Sequence, residues 1–243
     1  MFESAYLLRR VELNGRDPEE DGHLAWGIRQ TGVYHQYTPQ SKAKTPFNDD
    51  EKAKSLFLLV APSPNINNEI GTSLEAVLEN PSSIPPWNVQ RLLVADALRG
   101  WGDYMACLEK ELRKQSDRII CANIGSEKDN LSPLTDFHIT FIDRQELKII
   151  EDAVIDLQII LPTLSNTISR IKDEMRNWYG DSDMEKEERN NLEDVIDEFE
   201  EYFREAEMHN NRAKSLKERT DSTSRLVRTP LPLKNKTQLT PIN

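Results

Sequence analysis

Along the second half of the chain, apolar residues recur at alternating intervals of three and four. Starting from Leu147 they fall at Ile150, Val154, Leu157, Leu161, Leu164, Ile168, Ile171, Met175 and Trp178. This spacing holds one apolar stripe on one side of a helix for about nine turns, in coiled-coil fashion. The polar stretch "YGDSDMEKEERN" then interrupts the stripe, and a second series follows at Leu192, Val195, Phe199, Tyr202, Ala206, His209, Ala213 and Leu216. Two helices of matched period joined by a short polar connection cover each other's seams best by folding back, so the pattern predicts a long antiparallel helical hairpin over residues 143–219. Pro162, one place past a seam position, removes a backbone hydrogen bond and predicts a kink there.

The first half reads differently. "AWGIRQTGVYHQYT" and "KSLFLLVAPS" are rich in β-branched and aromatic residues and are separated by turn-type sequence. They predict strands near 24–38 and 54–62, with "YLLRRVEL" as a third candidate. Gly32 suggests a bulge, after which Val33, His35 and Tyr37 share a face. Leu56 to Ala61 is apolar on both sides, the pattern of a central, doubly covered strand. After "SSIPPW" a single helix is expected near 87–115, because Val94, Leu98, Trp101, Met105, Leu108 and Leu112 keep one stripe. The predicted class is α+β, mostly α. A small N-terminal β-sheet with packed helices fills 1–142, the hairpin follows, and a disordered basic tail occupies 220–243.

Composition narrows the functional classes. The net charge is -11, with 37% apolar and 30% charged residues. Residues 181–207 hold 13 acids against 3 bases, whereas 212–236 hold 8 bases against 2 acids. The acidic total disfavours nucleic-acid binding, which depends on Lys and Arg neutralising phosphates. The longest unbroken apolar run is the six residues Leu56 to Ala61, against about 20 needed for a membrane helix, so no membrane span is expected. Cys107 and Cys121 lack paired spacing, and the opening residues do not read as a secretory leader. A reducing, cytoplasmic setting is therefore expected.

Candidate chemistry is sparse. "HIT" at His138 matches one copy of the His-x-Thr pattern that two-histidine phosphoesterases use in pairs, but "HQY" at His35 lacks the matching hydroxyl. A phosphoester hydrolase, or another enzyme using His35 and His138, is accordingly the alternative reading. Asp181 and Asp183 head an acidic loop with oxygen ligands suited to a hard cation, yet the loop has no central glycine, and these acids serve equally well at the positive end of the following helix. Ser63 has no nucleophile elbow around it. His209 occupies a seam position, where a histidine satisfied by a carboxylate or carbonyl is the expectation. The candidate binding residues are Arg29, Tyr34 and His35, which either pair within the sheet and dock it on the helices or line a surface for a partner.

Taken in order, "WGIRQTGVYHQY", "SLFLLVAPSP", "GWGDYMACLEKEL", "FIDRQELKIIEDAV" and "RAKSLKERTDSTSRLV" resemble segments of fungal CorA-like transporter-domain proteins over roughly residues 24 to 228. The resemblance implies the cytosolic portion of a divalent-cation transporter whose full-length relatives sit in a membrane, with Mg2+ or another divalent cation as the associated ion. The chain as it stands carries neither an apolar span nor a Gly-Met-Asn pore motif. The expectation is a non-enzymatic module, unable to transport alone and without a cofactor of its own. It would act by interaction or regulation, through a protein partner or as a homo-oligomer formed through its helices.

Overall fold

The computed structural model describes residues 2–15, 25–38, 54–79, 86–124, 140–181 and 186–228. Its strands are β1 (Phe2–Leu13), β2 (Trp26–Thr38) and β3 (Lys54–Val60), and its helices are α1 (Pro64–Glu79), α2 (Pro86–Leu98), α3 (Trp101–Ile124), α4 (Phe141–Asp181) and α5 (Lys186–Arg228). The chain is α+β and mostly α, as its periodicity predicts. It divides into two compact units, one of residues 1–106 and 156–213, the other of residues 107–155 and 214–243.

In the first unit the strands form one antiparallel sheet in the order β1-β2-β3. Pairing of β1 with β2 is unbroken from Phe2↔Tyr37 to Leu13↔Trp26, so the bulge expected at Gly32 is absent. Gly32 instead makes room. It lies between Leu7 and Val60, and a Cβ there would come within 3.4 Å of the Val60 Cβ. The apolar run of β3 also needs correcting, because β3 is an edge strand and β2 is the central one. Leu56, Leu58 and Val60 are more than half exposed rather than doubly covered.

Helix α1 was not legible as a helix in the sequence. Ser63 caps it: the Ser63 hydroxyl accepts from the Ile66 amide at 3.1 Å, and Pro64 takes the first helical position. The stretch expected as one helix is two. Gly100, with φ +86, turns the chain between α2 and α3, and Tyr104 N–H donates to its carbonyl at 3.0 Å. A side chain at Gly100 would meet Val11 Cγ2 at 3.2 Å and the Val11 carbonyl at 3.4 Å. Glycine is thus required twice over, by its backbone conformation and by the close approach of β1. Val94, Ala97, Trp101, Tyr104 and Met105 are buried near this turn in sequence.

The hairpin forms as predicted. Residues 182–185 separate α4 from α5, yet Lys172 Nζ lies 2.7 Å from Glu200 Oε2. Residue 200 is about 21 Å along α5 from its start, so that contact requires α5 to run back beside α4. Seam residues Leu157, Leu161, Leu164, Ile168, Ile171 and Met175 are buried, as are Leu192, Val195, Phe199 and Ala206. Lys172 is itself buried. It pairs with Glu200, holds that carboxyl below the usual carboxylate range, and lies 5.0 Å from the Phe203 ring centre. Pro162 sits inside α4, and one residue on the Thr163 hydroxyl donates back to the Ile159 carbonyl at 2.6 Å.

The second unit packs segments of α3, α4 and α5 around Leu108, Leu112, Ile119, Leu147, Ile150, Val154 and Leu216. Arg118 reaches Asp143 at 3.0 Å, Gln115 donates to Glu146, and the Ser224 hydroxyl donates to Glu151. That last contact corrects the expected tail. Residues 220–228 belong to α5, because Thr220, Thr223 and Ser224 are buried and the two threonine hydroxyls donate to the Leu216 and Arg219 carbonyls one turn back. Residues 229–243 lie outside the described residues.

Gly100→Ala is expected to cost about 2 kcal/mol, from the left-handed backbone and the Val11 contact together. Gly71→Ala, inside α1 with nothing within 4 Å of the new methyl, should instead stabilise by about 0.5–1 kcal/mol. Urea denaturation of the two variants checks the pair; equal effects would contradict the assigned role of Gly100.

Candidate functional site

Strict alternation along the regular sheet sorts the candidate residues by face. Thr31, Val33 and His35 of β2 share one face with Tyr6 and Leu8 of β1 and with Phe57 of β3. The opposite face carries Ala5 and Leu7, then Gly32 and Tyr34, then Leu56, Leu58 and Val60. The three expected binding residues therefore do not meet: Arg29 and His35 point to one side, Tyr34 to the other.

His35 is 1% exposed and is held from three directions. Its Nε2 lies 3.0 Å from the Ser55 hydroxyl, its Nδ1 lies 3.2 Å from Gln90 Nε2 of α2, and its ring stacks on Phe57 at 4.1 Å with 9° between planes. A Gln90 amide that donates to Nδ1 leaves Nε2 to carry the proton and donate to Ser55. Burial lowers the imidazole pKa to about 4, so the ring is neutral at pH 7. His35 docks the sheet onto α2. Ser55 and Gln90, which complete this arrangement, have no periodic signal in the sequence and are found only through the fold.

Arg29 keeps its side chain 57% exposed and faces Glu12 at 4.0 Å. Its register partner Arg10 is buried instead, donating to Glu12 at 2.7 Å, to the Thr31 hydroxyl at 2.6 Å and to the Ala61 carbonyl at 3.5 Å. Ala61 has φ +54, unusual for a residue with a side chain. Arg10 and Thr31 converge on its carbonyl and fix the turn from β3 into α1. Tyr34 is half-buried, and desolvation together with Glu3 pushes its phenol up.

Of the second candidate constellation, the described residues include Thr140. Thr140 of "HIT" is the N-cap of α4: its hydroxyl accepts from the Asp143 amide at 3.2 Å, and Asp143 Oδ2 accepts from the Thr140 amide at 2.8 Å. The Thr140 hydroxyl, followed by Arg118, holds the Asp143 carboxyl below its usual range. His138 and Asp183 lie outside the described residues, and Asp181 is described only as the last residue of α4. Among the described residues no cluster of three His, Cys, Asp or Glu could hold a metal. His209 is buried, with Nε2 3.5 Å from Glu205; burial lowers its pKa and the carboxylate opposes that shift.

The feature that sequence reading missed is the outward sheet face. Leu7, Leu56, Leu58 and Val60 are exposed by 52%, 56%, 59% and 61%. Leu7, Leu58 and Val60, together with Tyr34, line a groove of about 580 Å³, whose α4 side is lined by Thr163, Thr167 and Arg170 at helical spacing. Tyr6 also borders the groove, but its side chain belongs to the sealed face, where its hydroxyl is buried without a hydrogen-bond partner, and burial followed by Glu174 pushes its phenol far up. Exposed apolar side chains gathered on one face, with polar groups at the side, are the composition of a binding surface.

Titration tests the assignment of His35. The unfolded imidazole gains its proton near pH 6.5 and the folded one near pH 4. Its contribution is therefore complete above about pH 6.5 and is lost as pH falls toward 4, to a limit of about 3 kcal/mol. Urea midpoints of the wild type should fall more steeply over that window than those of His35→Phe; parallel curves would contradict the sealed imidazole. No family model matches the chain, and no curated protein matches it.

Proposed function

We propose that this chain is a non-enzymatic interaction or regulatory module related to the cytosolic part of CorA-like divalent-cation transporters, and that it binds its partner through the open sheet face. The observation that carries the binding role is the apolar face of Leu7, Leu56, Leu58 and Val60, each more than half exposed on one side of the three-stranded sheet. The relation to the transporters rests on the order of sequence segments from "WGIRQTGVYHQY" to "RAKSLKERTDSTSRLV". No described helix is long and apolar enough to cross a membrane, so transport is assigned to full-length relatives rather than to these residues.

The groove favours a protein partner. Its floor is aliphatic, and the Arg170 guanidinium along one side suits the carboxylates of a docked chain, while the Thr163 and Thr167 hydroxyls, which donate within α4, keep acceptor capacity for its amides. A hydrolytic role for His35 finds less support, since a general base must reach a substrate proton. This ring is buried, with both nitrogens against Ser55 and Gln90.

Titration calorimetry of the full chain with the cytosolic portion of a CorA-like transporter tests the reading. Binding is expected, weakened at least about tenfold by Leu7→Lys, because a charge replaces a core apolar contact. Arg29→Glu, on the opposite face, should leave it unchanged. Absence of binding, or an Arg29→Glu effect larger than that of Leu7→Lys, would contradict it. On a phosphoester panel, His35→Ala should leave no turnover to lose, and a turnover that this change abolishes would favour the hydrolase.

A further inference from the structure

The two edges of the sheet differ in chemistry. Along β1 the residues Glu3, Arg9, Arg10 and Glu12 place charges at four positions, and the α4 residues Thr163, Thr167 and Arg170 line the groove beside Ala5 and Leu7. Charged residues and a covering helix are devices that stop an edge from recruiting another strand. From Ser55 to Val60, β3 has none of them: the sequence SLFLLV contains no charge, no proline and no glycine. Among the described residues β3 pairs with β2 alone, so its outer amides and carbonyls face away from the sheet.

We infer that β3 is a self-association edge, and that its occupant is β3 of a second copy of this chain, antiparallel, with Leu58 opposite Leu58 on the twofold axis. The inference rests on reading the exposed apolar face as a binding surface, and it assigns the edge of that face to a copy of the chain. Its register follows from side-chain chemistry. Cross-strand neighbours must lie on the same face. Centring on Leu58 sets Leu56 against Val60 of the second copy and Phe57 against its Leu59, so every facing pair from 56 to 60 is apolar. No charge of one strand meets a like charge of the other within that span. The central strand β2 would supply no such edge, since both of its sides are paired.

Pairing of this kind is isologous, so one patch serves both copies and the assembly closes at two. The product is a six-stranded sheet whose outward apolar side chains form one continuous surface, leaving Leu7 of each copy open for another partner. The −11 charge of each chain opposes association generally, which makes an uncharged edge the favourable place for two copies to meet.

Sedimentation velocity of the full chain, at concentrations up to about 100 µM, tests this. The expected mass is twice the 28.0 kDa of one chain. Leu58→Lys, which sets two ammonium groups against each other on the axis, should raise the dissociation constant at least about tenfold while leaving the helical circular-dichroism spectrum of the folded chain unchanged, because Leu58 is exposed. Should that variant fail to fold, Leu58→Cys in a Cys107→Ser, Cys121→Ser background decides: a disulfide between copies under mild oxidation supports the pairing, and its absence overturns it. A wild type of single-chain mass, or a Leu58→Lys variant that folds and keeps the double mass, also overturns it. Leu7→Lys lies two strands from the edge and should leave the double mass intact. Its effect on transporter-domain binding reads the broader surface separately, so failure of the self-pairing and failure of the face are distinguishable.

Discussion

A three-stranded sheet has two faces, and His35 marks the one that this chain seals. On that side the imidazole, Leu8 and Val33 leave water together, and the ring nitrogens find Ser55 and Gln90. A buried imidazole is tolerable only when its polar atoms are met, so the β2 register, the position of β3 and the seat of α2 are mutually dependent. Slipping β2 by one residue would carry Val33 and His35 out and bring Gly32 and Tyr34 in. Sealing one face leaves the other with its leucines exposed, and the functional reading follows from that asymmetry.

The legible part of the fold was the part whose signal is local. The seams from Leu147 to Met175 and from Leu192 to Leu216 repeat every three or four residues, and these positions are buried with the exception of Tyr202, which stays half-exposed. The break at Gly100 was not legible for the same reason. Leu98 and Trp101 are three apart and both buried, so the stripe continues across a turn that ends one helix and starts the next. Periodicity reports which residues face a core, not whether the backbone between them is continuous. The last helix ran further than its composition suggested because Thr220, Thr223 and Ser224 bury their hydroxyls in bonds one turn back or across to Glu151, whereas unbonded they would favour a coil.

The candidate site was legible only in fragments. An all-apolar run such as LFLLVA reads as a central strand, because nothing in the residues themselves distinguishes burial on both faces from exposure on an edge; that depends on strand order. Arg29, Tyr34 and His35 are close in sequence, but alternation sends Tyr34 to the open face and the other two to the opposite one. Ser63 and Thr140, residues of types that also serve as nucleophiles or phosphate ligands, are helix caps. In each case the competing role was set by a neighbour distant in sequence or by the start of a helix.

Hydroxyl-radical footprinting of the purified chain, read residue by residue by mass spectrometry, tests most directly whether one sheet face is sealed and the other open. Leu7, Leu56 and Leu58 should be oxidised readily, while Leu8, Val33 and His35 stay protected until the chain is unfolded. Equal protection of Leu7 and Leu8, neighbours in sequence on opposite faces, would contradict the account.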